Sequence, residues 1–447
     1  MKSLQTLLFA LLLSATAFSQ TIIKQDAGIK QMLDEVSVQN IEAIVKKLVG
    51  FKTRHTLSDT TSATEGIGAA RNWIKAEMEK YAKAANGRMK VEFDTFTQPV
   101  GGRFNKPTVL KNIVATLKGT DPTDTRVYVI SGHYDSRVTD VMNIKDAAPG
   151  AVDDASGTAV SMELCRVMAS RSFPATIIFL AVAGEEQGLN GSANFAKLAK
   201  EKNLNIDAML NNDIVGNTHG QDNDLKDNIH VRVFSEGIPT INANVNSLIN
   251  NGGENDSPSR QLARYVKEVA ERYVDQLDVK LIYRRDRFLR GGDQTSFQQQ
   301  GFTAVRLTEM NEDFTHQHQD LRTEKGMQYG DLIQFADFEY MQKVARMNLS
   351  VLANLATAPA APVNVGVTTS GLTNKTTLKW EAPNTGKAPA GYYILMRETI
   401  SPYWEKKLYV TGTTATLNYS KDNYFFAVQS VDAEGHESLT VFPKPVR

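Results

Sequence analysis

Apolar and polar positions fall into two regimes along the 447-residue chain, and the regimes meet near residue 358. In the first, short apolar runs alternate with stretches whose apolar residues recur every three to four positions. Ile41, Ile44, Val45 and Leu48 share that spacing and predict a helix over 38–49. The runs at 113–117 and 127–130 are short and rich in β-branched residues, the pattern of strands. A helix over 156–169, a buried strand over 176–182, a helix over 192–202 and a strand over 206–210 follow. Leu262, Tyr265, Val266, Val269, Tyr273 and Leu277 repeat at helical spacing, and strands are predicted at 279–283 and 303–307. Phe338, Met341, Ala345, Leu349, Leu352 and Leu355 line one face of a last helix. Strands alternating with helices predict an α/β fold, its mostly parallel sheet covered by helices on both faces.

The second regime opens at Ala358-Pro359-Ala360-Ala361-Pro362, a short Pro/Ala linker. Beyond it, strand-like runs at 376–380, 392–396 and 424–428 are separated by stretches rich in Gly, Asn, Pro and Thr, the pattern of an all-β sandwich. The expected organisation is an export signal over 1–19, an α/β domain over 20–356, a linker over 357–362 and a β-sandwich over 363–447.

Composition narrows the choices. Lys plus Arg equals Asp plus Glu at 50 each, which argues against a nucleic-acid partner, since phosphate binding draws on surplus cations. Lys2, the apolar run from Leu7 to Leu13 and the small residues of Ala17-Phe18-Ser19 have the layout of a cleaved signal peptide. That run is too short to span a bilayer, and no later segment is long and apolar enough. The mature protein is expected to be exported, to a periplasm, a cell surface or the medium. Cys165 is the sole cysteine, so no internal disulfide forms, and its helical setting suits a small buried apolar group.

Five clusters of acids and imidazoles fall at or just after strand ends, where open α/β sheets hold their ligands. They are His133-Tyr134-Asp135, Asp153-Asp154, Glu185-Glu186, Asp213 and His316-Gln317-His318. Each alone has a structural explanation, as a hydrogen-bonded His, helix-capping acids, a turn Asp or solvated loop histidines. Together they describe a metal site. His133 is assigned as a ligand and Asp135 as the acceptor that holds its second ring nitrogen. One of Asp153 and Asp154 suits a bridge between two cations, with Gly150 and Gly157 leaving room for close backbone approach. The apolar strand at 176–182 delivers two adjacent glutamates, an arrangement that is costly unless cations or a shared proton compensate. Hydrolysis needs one carboxylate on a metal and another free to take the proton of the attacking water. Asp213 ends the next strand, and either His316 or His318 supplies the second imidazole. Two imidazoles, a shared aspartate, a further Glu and a further Asp make two nitrogen–oxygen sites. Such sites suit zinc, with cobalt as a substitute, over calcium or magnesium.

The order and spacing of these clusters resemble the secreted two-zinc aminopeptidases of the leucyl aminopeptidase and aminopeptidase S type, relatives of glutamate carboxypeptidase and the transferrin receptor. The resemblance spans residues 38–355 and includes Gly291-Gly292-Asp293-Gln294 and the run from Ala304 to Glu309. It implies that His133, Asp153, Glu186, Asp213 and His316 bind two Zn2+, that Asp153 bridges them, and that Glu185 is the general base. His316 is preferred because the family's ligand stands four residues before an Asp, here Asp320. The implied activity is removal of N-terminal residues from peptide substrates. Alternatives are a carboxypeptidase or dipeptidase on the same scaffold, a one-zinc acyl transferase resembling the glutaminyl cyclases, and a non-catalytic binding ectodomain. A cleft-facing arginine among Arg284, Arg285, Arg287 and Arg290 would favour carboxylate recognition; solvation at the surface is their bland reading. The segment after the linker resembles a fibronectin type III module, with Trp380 and the strand at 424–428 in its core and no active-site residue.

Overall fold

An eight-stranded sheet forms the centre of the computed structural model, which describes residues 23–241 and 244–447. The expected signal segment over 1–19 lies outside those residues. The strands are β1 (Met89–Gln98), β2 (Thr108–Leu117), β3 (Arg126–His133), β4 (Thr176–Val182), β5 (Asn205–Asn212), β6 (His230–Ser235), β7 (Asp278–Ile282) and β8 (Ala304–Glu309). Their order is β1-β2-β4-β3-β5-β8-β6-β7. Four of the seven pairings are parallel, including the central β4-β3-β5-β8 block. The antiparallel pairs lie to either side of that block.

The central strands are apolar on both faces because both faces are covered. In β3, Tyr128 and Ile130 enter one core while Val127 and Val129 enter the other. In β4, Ile177, Phe179 and Ala181 oppose Ile178, Leu180 and Val182 in the same way. The larger core is shared with α1 (Ala27–Asp34), α2 (Val38–Val49), α3 (Gly66–Ala82), α4 (Ala155–Met168), α7 (Pro258–Tyr273) and α9 (Phe338–Thr357). The smaller is closed by α5 (Asn190–Glu201) and α8 (Asp293–Gln299), and the short α6 (Val245–Asn251) adds no buried residue. Helix α2 starts where Ser37 accepts from Asn40 N and buries the four apolar residues whose spacing predicts it. Cys165 is buried in α4 against Met89. Among the described residues, no helix is long and apolar enough to cross a membrane.

A small hairpin, β9 (Arg322–Glu324) with β10 (Met327–Tyr329), precedes α9. After α9, two sheets enclose a separate apolar core. One holds β11 (Val363–Thr368), β12 (Thr376–Glu381), β15 (Thr414–Leu417) and β17 (Lys444–Val446); the other holds β13 (Gly391–Glu398), β14 (Lys406–Val410) and β16 (Tyr424–Val431). Leu378 and Trp380 from the first meet Ile394, Met396, Phe426 and Val428 from the second. The Pro/Ala connector is fastened rather than free. Ala358 and Ala360 are buried, and Arg126 donates to the carbonyls of Ala358 at 2.7 Å and Pro359 at 3.1 Å.

Candidate metal centre

Three neighbouring strands deliver acids and an imidazole to one edge of the sheet. His133 ends β3, Glu185 and Glu186 follow β4, and Asp213 follows β5. The fourth wall is the entry to α4. Asp154 caps that helix by accepting from Gly157 N at 2.9 Å, and also accepts from His133 N at 3.0 Å and Ile214 N at 3.2 Å. It ties the ends of β3 and β5 to the helix. The helix comes this close because Gly157 lacks a side chain, since a Cβ would run into the carbonyl of Asn212. Gly150 turns the preceding loop with φ 52°, and a Cβ there would lie 2.6 Å from Asp153 O.

Asp153 stands between two imidazoles. Its Oδ1 lies 3.1 Å from His133 Nε2, and its Oδ2 lies 2.8 Å from His318 Nε2. On the His133 side, Asp213 Oδ1 is 3.9 Å away and Glu185 Oε2 is 4.0 Å away. On the other side, Glu186 Oε1 lies 2.9 Å from His318 Nε2. Ligand-type atoms of His133, Glu185 and Asp213 form one tight group, and those of Asp153, Glu186 and His318 form a second.

Asp135 does more than the sequence suggests. Its backbone carbonyl is the nearest acceptor to His133 Nδ1, at 3.2 Å, with its carboxylate at 3.6 Å. The carboxylate itself accepts from Glu185 N at 3.2 Å, Glu186 N at 3.1 Å and the Thr56 hydroxyl at 2.8 Å. It therefore fixes the backbone that carries both glutamates.

The structure places His318, and not His316, within the second group. His316 stacks on Phe335 with ring centroids 3.5 Å apart, and its Nδ1 lies 3.5 Å from Asp313, outside both groups. The cause is a tight turn. His316 N and Gln317 N both donate to Asp313 O, and His318 takes a left-handed φ of 58°, which aims its ring inward. Asp320 accepts from Thr139 N and does not serve His316, so counting back from it misleads.

Several further side chains steady these groups. Buried Arg306 donates to Asp213 Oδ1 at 2.8 Å, and Arg137 donates to Glu186 Oε2 at 3.0 Å while lying 2.5 Å from His318 Nδ1. Asp331 accepts from Val152 N and Asp153 N, and Gln317 donates to Asp153 Oδ2 at 2.9 Å. Among them Arg306 carries a sequence signal, a cation set between Val305 and Leu307 in a strand. A further acid–imidazole group, Asp432, Glu434 and His436, lies in the sandwich. There Asp432 is already matched by Lys387 at 2.7 Å and His436 at 2.8 Å.

Residues 112–338 match the family model described as Peptidase family M28. Over 420 residues the chain is 49% identical to a probable zinc metalloprotease of Leptosphaeria maculans, a match covering 93% of this chain and 97% of the relative. The chain belongs to peptidase family M28. A probable zinc metalloprotease of Pyrenophora teres is 48% identical over 94% of the chain and 87% of its own length. In fold, this M28 peptidase is similar to the LapA aminopeptidase of Legionella pneumophila, with a TM-score of 0.54 at 19% identity over 76% of this chain and 78% of that one. LapB of the same organism gives 0.55 at 18% identity over the same shares.

Electrostatics set the carboxylates of the M28 peptidase apart. Burial pushes Glu185 well above the ordinary range, and nearby Asp213 and Glu186 push the same way against the pull of His133. Burial also opposes the charge on Asp153, yet His318 and His133 outweigh it and hold that carboxyl well below its usual range. Burial alone would lower His318, but Glu186 and Asp153 raise it to about 10. The pocket thus gathers several buried carboxylates around the two imidazoles. It opens into a cleft of about 360 Å3, onto which Arg103, Arg287 and Arg290 also face.

Proposed function

We propose that this M28 peptidase is a two-zinc aminopeptidase that releases N-terminal residues from peptides. The observation that carries the reading is the placement of Asp153, with one oxygen toward each of two imidazoles. A carboxylate so placed suits a bridge between two cations. The donor set fits zinc, since each half offers one imidazole nitrogen and carboxylate oxygens. Buried polar atoms point the same way. Glu186 Oε1 and His318 Nε2 make no well-directed hydrogen bond, an expense that a shared cation would relieve. In this reading His133, Asp213 and Asp153 hold one zinc, and Asp153, Glu186 and His318 hold the other. When bound, the pair supplies Lewis acidity and a water made acidic enough to attack near neutral pH.

Glu185 is the general base. Its carboxyl is 14% exposed, enough to meet substrate, and among the described residues no hydrogen-bond partner ties its side chain. It takes the proton of the attacking water as that water adds to the scissile carbonyl, and hands it to the leaving amine. Asp135 holds the Glu185 backbone, while Arg306 and Arg137 steady the carboxylates of Asp213 and Glu186. The sandwich keeps its resemblance to a fibronectin type III module and serves as a spacer or attachment surface. Export through the N-terminal segment belongs to the same proposal.

The test is Glu185→Gln in the zinc-loaded protein. Elemental analysis should still find two zinc ions per chain, while hydrolysis of leucine p-nitroanilide falls by about 10²–10⁴-fold. Full turnover in that variant refutes the assigned base. Hydrolysis of N-acetylated peptides at the rate of free ones refutes recognition of the amino terminus.

A further inference from the structure

Arginine dominates the walls of the cleft beyond the two acid groups. Next to the 360 Å3 cleft lies a second lobe of about 450 Å3, lined by Arg137, Arg290, Phe314 and His318 among others. No carboxylate lines that lobe among the described residues. Arg290 borders both lobes and is the arginine they share.

Its charge is poorly matched. The carboxylate nearest to Arg290 is Glu312, at 3.6 Å, too far for a hydrogen bond. Glu312 is already committed to Arg232 at 2.9 Å and to Arg287 at 2.9 Å. Arg287 also leans on Asp286 at 3.2 Å, and Asp286 in turn is shared with Arg306 at 3.4 Å. Four guanidinium groups therefore share Glu312, Asp286 and Asp213, and the surplus positive charge is left on Arg290, the most exposed of the four. Arg103, which lines the same cleft, donates to the backbone carbonyl of Glu186, and no ion pair to it is formed among the described residues. Zinc binding would draw on Asp213, which Arg306 now shares, and so would leave Arg290 no better matched. Burial and the neighbouring Arg287 already disfavour the charge on Arg290, which an incoming anion would relieve.

We propose that Arg290, with Arg103 lining the same cleft, binds a carboxylate of the substrate beside the scissile bond. The chemistry is that of a planar guanidinium fork and a carboxylate. It makes short or acidic peptides the preferred substrates, the carboxylate being either the C-terminus of a dipeptide or an acidic side chain. Arg290 is thereby a specificity residue, and the inference rests on the exopeptidase reading above.

Matched substrates test it on the zinc-loaded full chain. Leu-Leu against Leu-Leu-amide reports a terminal carboxylate, and Glu-Leu-amide against Gln-Leu-amide reports a side-chain one. The acid member of at least one pair should show a KM lower by about tenfold, the reach of one charge-assisted hydrogen bond. The pair that carries the difference identifies the source. Arg290→Gln should abolish the difference with zinc content unchanged. Equal constants within both pairs, or a difference that survives Arg290→Gln, overturn the proposal. Calorimetric binding of the same peptides to zinc-loaded Glu185→Gln separates the two claims. Preference for the acid there, with no hydrolysis by the unaltered enzyme, overturns the exopeptidase reading and leaves the arginine site standing. Hydrolysis without that preference does the reverse.

Discussion

His316 and His318 put the same side chain into different surroundings within one turn. His318→Ala should bind one zinc instead of two by elemental analysis and lose most peptide hydrolysis. His316→Ala removes only a ring stacked on Phe335 and should keep both metals. The spacing of the two residues did not decide between them, because the decision lies in the left-handed backbone at His318 and in the Asp313 turn. His133, Glu185, Glu186 and Asp213 were legible because strand ends announce themselves and acids cluster after them, and Asp153 because paired acids stand before a helix. Asp331 was not legible, since a loop aspartate carries no periodic signal. Its carboxylate receives the amides of Val152 and Asp153, so Asp331→Ala strands two buried donors. The expected cost is about 1–3 kcal/mol in denaturant unfolding, together with weaker zinc retention against a chelator.

The close seating of α4 against β3 and β5 is what aims Asp153 at the pocket. Gly157→Ala forces a methyl group into the Asn212 carbonyl, so chemical denaturation should show a loss of about 1–3 kcal/mol. Metal binding should weaken with it, because Asp154 hydrogen-bonds both strand ends and the helix start. At this scale most of the α/β framework was readable. The helix at 38–49 and the strand at 176–182 coincide with α2 and β4. The elements that escaped have physical reasons. β1 is an edge strand whose exposed positions carry Lys, Glu and Thr, which blurs its apolar pattern. α3 buries Gly66, Gly68, Ala69 and Ala70, small residues that give little amphipathic contrast. α8 is a seven-residue helix, too short for periodicity to register.

Across the whole molecule, the sandwich and the α/β body meet through buried charge. Glu437 takes a bidentate contact from Arg272 of α7 at 2.8 and 3.0 Å, accepts from Asn354 of α9 at 3.0 Å, and lies 3.3 Å from Lys407 of β14. Nearby, Arg397 of β13 donates to Asp256 at 2.7 Å. Glu437→Ala leaves Arg272 without its buried partner and should cost about 3–5 kcal/mol in unfolding measurements. The pH dependence has a definite sign. Burial opposes the charge on Glu437, but Lys407 and Arg272 outweigh it and bring the carboxyl down to about 2. Because the folded pKa lies below the unfolded one, the contribution is present above about pH 4.5 and fades as pH falls toward 2. Acid titration of stability should therefore be shallower in Glu437→Gln. Parting the two halves would therefore break the Arg272–Glu437 and Arg397–Asp256 pairs together. Scanning calorimetry should record one heat-absorption peak for the whole protein, and cutting the Pro/Ala connector should leave the two pieces clasped.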